Sequence, residues 1–344
     1  MNIQETDNRP FMVSIHCLTY NHEPYIRQCL EGFIMQRTNF RFEAIVHDDA
    51  STDGTANIIR EYAEKYPNII KPIYETENQY SKHDGSLRRI MDEACTGKYI
   101  AICEGDDYWI DPMKLQIQVD FMESHPDYSM CWHDATIVSA LDGLEKGNHR
   151  RYKKDTTCKV EEMIENGGEF CPTASLLFRK KLKEEAPQEL FKQYVGDYPL
   201  QLYMTIMGKV YYFDHKMSAY RTDIPGSWTE TIKDLKSKRN KLWFYEKKIL
   251  DDFNRFSFYK YARSFRFREN YYLFNIFWGT KEYSIARKYW YKMDFLKRPW
   301  DRRVLYLHGY GHIKNRFDLI GLIRNLISKC IFGTSRKYRN EQAF

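Results

Sequence analysis

Residues 11–55, FMVSIHCLTYNHEPYIRQCLEGFIMQRTNFRFEAIVHDDASTDGT, set out one structural unit and begin a second. The apolar run MVSIHCL (12–18) predicts a buried strand that stops at Thr19-Tyr20-Asn21. A helix follows, with Pro24 near its first turn, where a missing N–H costs nothing, and Ile26, Leu30, Phe33 and Ile34 at helical spacing. FEAIVH (42–47) predicts a second strand and Asp48-Asp49-Ala50-Ser51-Thr52-Asp53-Gly54 a polar turn. The next helix presents Ala56, Ile59, Ala63 and Tyr66 on one face. Strand, turn and helix in regular succession are the pattern of an α/β sandwich on a largely parallel sheet.

The alternation continues outward. A third strand is expected near 69–74, a helix over 86–95, and the strand YIAIC (99–103) leads into Glu104-Gly105-Asp106-Asp107. A helix begins at Asp111-Pro112, YSMCWHDATIV (128–138) reads as a strand, and the polar residues 139–157 read as a loop. TASLLF (173–178), KVYYFD (209–214) and KMSAYR (216–221) are further strands, with a helix from Pro199 to Met207. No internal repeat or low-complexity tract interrupts this order.

The chain has 344 residues, 43% of them hydrophobic, which excludes a peptide, a collagen-like chain and a wholly disordered protein. Its net charge of +6 hides an uneven distribution. Residues 233–344 carry 27 Lys/Arg against 10 Asp/Glu, a net +17, and leave about −11 on residues 1–232. This divides the chain into a region 1–232 and a basic, aromatic region 233–344. Eight cysteines without a C-x-x-C pair read as reduced thiols. MNIQETDNRP lacks an apolar signal core and no apolar stretch reaches 18 residues, so a cytoplasmic location is expected, with any membrane contact made from the surface.

In parallel α/β sheets ligands bind beyond the carboxyl ends of the strands. Three strand ends here carry unusual residues. Tyr20 could stack on a planar base and Asp49 accept a hydrogen bond from a base N–H; packing and a helix N-cap are the plain alternatives. Asp106 and Asp107, with Glu104 close by, concentrate negative charge at one strand end. Two readings stand: a hard divalent cation, Mg²⁺ or Mn²⁺, that neutralises a diphosphate, or an acidic turn capping the helix at Pro112. Arg88 and Arg89 precede YIAIC and suit a ribose or phosphate, or a solvated helix face.

The three segments VSIHCLTYNHEPYIRQCL, EAIVHDDASTDGT and GKYIAICEGDDYW, in this order and spacing, resemble the glycosyltransferase family 2 type over residues 11–228. The resemblance implies the nucleotide-sugar fold called GT-A, a mixed, mostly parallel sheet flanked by helices, here followed by a helical C-terminal extension. It implies an inverting transfer of one sugar from a nucleotide-sugar, a UDP-sugar by common usage, to a glycan or lipid-linked acceptor in cell-surface polysaccharide synthesis. It puts Tyr20, Asn21, Glu23, Asp49, Arg88 and Asp106 at the nucleotide, Asp107 at a Mn²⁺ or Mg²⁺ ion, and Asp197 of Gly196-Asp197-Tyr198-Pro199 in the role of general base. Two departures bear on this. Asp223 stands where relatives often carry a histidine near the metal, and the Q-x-x-R-W motif of processive synthases is missing. The alternatives are a nucleotide-binding or scaffolding protein that keeps the fold without catalysis, and a nucleotidyltransferase, whose Gly-rich basic loop VSIHCLTYNHE does not supply.

The tail interleaves Lys/Arg with aromatics, as in FYKYARSFRFRENYYLFNIFW (258–278), and includes DLIGLIRNLISKCIF (318–332). It suits an anionic membrane surface at the inner face of the plasma membrane, with Trp278, Trp290 and Trp300 as interfacial anchors, or a helical subdomain packed on the catalytic region. No motif accompanies the charge that would suit nucleic acid.

Overall fold

The structure, a computed structural model, describes residues 8–191, 196–225, 227, 235–294 and 297. Strands β1 (Val13–Thr19) and β2 (Phe42–Asp48) form where the apolar runs place them. β2 is buried along its whole length, as a parallel strand covered on both faces must be. With β3 (Ile70–Tyr74) and β4 (Tyr99–Ile102) they make a parallel array in the order β3-β2-β1-β4. Beyond β4 the sheet is mixed. β9 (Leu177–Arg179) lies antiparallel between β4 and β6 (Tyr128–Ser139), β6 runs parallel to β10 (Lys209–Thr222), and β5 (Tyr108–Trp109) closes the edge antiparallel to β10.

Side chains alternate across these strands, so the sheet carries two cores. One buries Ile15, Cys17, Ala44 and Val46 with Ile26, Leu30 and Phe33 of α1 (Glu23–Ile34), Ile59 of α2 (Thr55–Lys65) and Leu115 of α4 (Lys114–Ser124). The other buries Ile45, Ile100, Met130 and Trp132 with Met91 of α3 (Ser86–Ala94), Met163 of α5 (Val160–Asn166) and Leu202 and Tyr203 of α7 (Tyr198–Met207). A short α6 (Lys180–Glu184) follows β9. The seven cysteines among the described residues are free and buried.

Three expectations change. Residues 139–157 are not wholly a loop, because β7 (Glu145–Asn148) pairs with β6 and β8 (Thr156–Thr157) with β10. The expected strand at 173–178 is a 3₁₀ turn, Thr173–Ser175, followed by β9. The two strands over 209–221 are one: register shifts at Phe213/Lys216 and Lys216/Ser218 absorb the polar Asp214-His215 break as a bulge, and pairing with β6 resumes beyond it. Among the described residues, one compact unit takes in those up to 227 together with Phe244–Phe265; the other holds Leu235–Trp243 and those from Arg266 on.

The C-terminal helices are α8 (Leu235–Phe256), α9 (Ala262–Gly279) and α10 (Tyr283–Lys292). Ile249, Leu250, Phe253 and Phe265 join the second core of the sheet unit. The other unit has its own small core of Phe274, Ala286, Trp290 and Met293. Trp290 is therefore a core residue and not the exposed interfacial anchor expected of it, and Trp278 is half-buried. Trp300 and residues 318–332 lie outside the described residues. No helix among the described residues is long and apolar enough to cross a membrane.

Candidate active site

The carboxyl ends of β1, β2 and β4 lie side by side, and short-range chemistry explains how their loops are held. Asn21 adopts a left-handed conformation (φ 56°), which asparagine tolerates better than most residues. Its Oδ1 accepts the Thr52 N–H (2.8 Å) and its own N–H donates to Ser51 Oγ (2.9 Å), tying the first loop to the second. Glu23 accepts the Gly54 N–H at 2.9 Å and donates its own N–H to Asp53 at 3.1 Å. Both residues expected at the nucleotide thus brace the loops; Glu23 spends a carboxylate oxygen on that brace. Tyr20, 46% exposed, is left with its ring open at the tip of β1. Asp49 is buried, donates its N–H to Thr19 C=O (2.9 Å), and accepts the Gln79 and Tyr80 N–H groups at 2.6 and 3.0 Å. Its carboxylate organises the 3₁₀ turn Tyr80–Lys82 beside the opening.

After β4 the chain makes the acidic turn Glu104–Asp107. Gly105 makes a close approach possible: a Cβ there would stand 2.5 Å from Thr19 Cγ2 and 2.9 Å from His22 Nδ1. The two aspartates then diverge. Asp107 is 2% exposed and accepts the Arg221 N–H at 2.8 Å. Burial, then the neighbouring Asp106, raises its carboxyl well above the usual range. Asp106 keeps a side chain 20% exposed, with Oδ2 3.9 Å from His22 Nε2. Arg221 from β10 clamps the turn: its guanidinium donates to Asp106 C=O and Gln28 Oε1 and lies over the rings of Tyr108 (4.4 Å) and Tyr25 (5.2 Å). Its donors are thereby directed at the turn's backbone and at Gln28.

Asp197 stands at the N-cap position of α7. Its Oδ2 accepts Thr173 Oγ1–H (2.8 Å) and Gln201 Nε2–H (2.9 Å), and the backbone N–H groups of Asp197 and Tyr198 also bear on the carboxylate. Gly168 runs beside Oδ1, 3.6 Å from where a Cβ would be. Desolvation pushes the Asp197 carboxyl up to about 6, against the opposing pull of Thr173 and Gln201. Glu104 joins the two sets of acids. Surrounded by protein yet open to water at its tip, it is pushed up to about 8, first by desolvation and then by the charges of Asp106 and Asp197. Three carboxylates from two distant parts of the sequence thus act on one space.

Two expected residues stand apart. Asp223, on the exposed loop after β10 in a left-handed conformation (φ 62°), takes a hydrogen bond from Thr222 Oγ1 and has no bond to the acidic turn among the described residues. Arg88 on α3 lies 5.9 Å from the Phe191 ring with its buried Nη1 unpartnered among the described residues, a cation an anion would satisfy. Sequence reasoning missed Thr173 and Gln201, which carry no motif, His22, which stands inside the first family segment, and the role of Arg221 at the end of KMSAYR (216–221).

The model of the family described as Glycosyl transferase family 2 matches residues 14–185, half of the chain. An uncharacterized protein of Mycobacterium tuberculosis is 33% identical over 232 residues, covering 67% of this chain and 63% of its own length. The beta-1,3-glucosyltransferase WfaP of Escherichia coli, described as using UDP-Glc and alpha-D-GlcNAc-diphosphoundecaprenol, is 34% identical over 113 residues, 33% of this chain and 42% of its own. The fold is of the GT-A type: TarS of S. aureus superposes with a TM-score of 0.53 at 15% identity, over 92% of this chain and 55% of its own.

Proposed function

The chain belongs to glycosyl transferase family 2, and on that premise we propose that it moves one sugar from a UDP-sugar, with inversion, to a glycan or lipid-linked acceptor in the building of a cell-surface polysaccharide. The observation that carries the reading is Asp197, held at Oδ2 by Thr173 and Gln201 and acting, with Asp106, on Glu104. UDP and a lipid-linked acceptor are favoured by the description of WfaP. Tyr20 offers a ring to the base, Asp49 shapes the turn that borders it, and Arg88 offers a cation to the diphosphate.

The acidic turn suits a hard divalent cation, Mn²⁺ or Mg²⁺. Its donors are carboxylate oxygens that raise one another's pKa, and the guanidinium of Arg221 donates its hydrogen bonds to backbone and Gln28 rather than to a carboxylate. Asp106, the accessible acid, would hold the ion; Asp107 is buried, and Asp223 has no bond to the acidic turn among the described residues. No group of three ligands occurs among the described residues, which fits an ion held by one or two carboxylates together with substrate phosphates. Such an ion would neutralise the charge developing on the departing diphosphate.

The protein's own part is acid–base work. With Oδ2 fixed by Thr173 and Gln201, Asp197 accepts the proton of the acceptor hydroxyl on Oδ1. The acceptor oxygen bonds to the anomeric carbon as the bond to the nucleoside diphosphate breaks. A base whose pKa lies near 6 is ionised at neutral pH and still draws the proton effectively. A screen of nucleotide-sugars for hydrolysis, with Mn²⁺ or Mg²⁺ and against EDTA, tests the reading. Asp197→Asn is expected to remove turnover by a factor of about 100 or more while UDP binding is kept. A fully active Asp197→Asn enzyme, or one that loses UDP binding, overturns the assignment.

A further inference from the structure

The connection from α8 to α9 is built against the ordinary preferences of a folding chain. Phe258 and Tyr259 both adopt left-handed backbone conformations, with φ of 52° and 61°. Helices often close with one such residue, usually glycine, because a bulky side chain there is strained. Here two aromatics in succession close the helix: the Phe258 N–H donates to Arg255 C=O (2.8 Å) and the Tyr259 N–H to Asn254 C=O (2.9 Å). The strain is not offset by packing, since Phe258 is 91% exposed and Tyr259 61%. Folding alone gives no reason for either side chain, and strain held at an exposed position points to use.

The surroundings indicate the user. Arg255 and Lys260 are exposed beside the two rings, and Arg263 stands in the first turn of α9. Asp251 and Asp252 are paired with Lys247 and Lys248, Arg255 also meets Asp252, and Glu161 from α5 acts on Lys260. Residues 247–263 hold five Lys/Arg and two Asp, so the tip is a cationic rim around two projecting aromatics. Its mounting is firm. Phe253 and Phe265, on either side, are buried in the same core as Tyr198, Leu202 and Tyr203 of α7, and Ser264 Oγ donates to Glu165 at 2.7 Å. Tyr203 and Phe256 stack with centroids 5.6 Å apart. The tip and the helix that begins at Asp197 therefore share one packed core.

We propose that the Phe258-Tyr259 tip is a membrane-docking point that inserts its rings into an anionic lipid bilayer, with Arg255, Lys260 and Arg263 on the headgroups. Aromatic rings favour the interface and cations the negative surface, and the combination needs no spanning helix. The proposal rests on the reading of a lipid-linked acceptor for its purpose: docking here would hold α7, and with it the base, in a fixed attitude to the bilayer.

The test is co-sedimentation of the full chain with vesicles of phosphatidylglycerol and phosphatidylcholine, against phosphatidylcholine alone, over a range of salt. Binding is expected only to the anionic vesicles and is expected to weaken with salt. Phe258→Gly is the decisive variant, because glycine prefers this backbone conformation: its thermal midpoint should hold or rise while vesicle binding falls about tenfold. Lys260→Glu should weaken binding and steepen nothing in the fold. The proposal is overturned if the wild-type chain ignores anionic vesicles at low salt, or if Phe258→Gly binds as well as wild type. It is also overturned if the variant's loss traces to dissociation of a self-associated form in light scattering. Nucleotide-sugar hydrolysis without lipid is unaffected by these substitutions, so a failed docking test and a failed glycosyltransferase reading give different results.

Discussion

Asp106 and Asp107 are neighbours in sequence and opposites in environment. Their types and their place after an apolar strand are legible in the sequence; which of them faces the opening is not. That is settled by the Arg221 N–H, 114 residues away, which takes Asp107 Oδ1 and turns the residue inward. The same holds for Asp197, whose carboxylate is oriented by Thr173 and Gln201, residues without a motif. The substitutions should separate accordingly. Asp106→Asn is expected to abolish metal-dependent turnover and the thermal shift caused by Mn²⁺, with the metal-free midpoint held or raised as like-charge repulsion is relieved. Asp107→Asn keeps an acceptor for the Arg221 N–H and loses a buried charge, so it should retain the Mn²⁺ shift. Parallel thermal melts with and without Mn²⁺ read both, and a Mn²⁺ shift lost in Asp107→Asn but kept in Asp106→Asn would reverse the roles.

At the scale of elements, the turn between β4 and β5 works because it is pressed against the end of β1. Gly105→Ala would place a methyl 2.5 Å from Thr19 Cγ2. That overlap should cost about 1–3 kcal/mol and displace the acidic turn, so denaturant midpoint and turnover should fall together; an alanine variant with wild-type turnover would show the turn to be free to shift. The elements that the sequence foretells well are those whose signal is local. β1, β2, β4, α1 and α2 have apolar runs or helical spacing of their own. β5 and β8, two residues each, have no such signal and exist only because β10 offers them an edge. β10 itself was hidden by Asp214-His215, since a polar pair reads as a turn until a partner strand is known to carry the register past it.

For the whole molecule, gathered acids and buried histidines give stability a pH dependence whose sign can be worked out. Glu104 has a folded pKa raised from 4.5 to about 8, and that of Asp107 is also raised. Between pH 6.5 and 8 the folded state keeps protons that the unfolded chain has released, so stability is lost as pH rises through this window. His16 and His149, lowered to about 3 and about 4 by burial, are neutral in both states above about 6.5; their own cost arises below it, when the unfolded chain takes up protons. Buried Lys114, lowered to about 7, opposes the acids in this window, because its folded form gives up a proton that the unfolded chain keeps. Water at Glu104 screens its share, which stays below the roughly 1.4 kcal/mol per pH unit of one full proton. A divalent cation at Asp106 would favour the ionised acids and cancel the slope. The increase in thermal midpoint that Mg²⁺ produces over EDTA should therefore grow from pH 6.5 to 8, a difference from which the Lys114 titration drops out. A Mg²⁺ effect independent of pH would mean that the acids at the ends of β4 and α7 do not share one site.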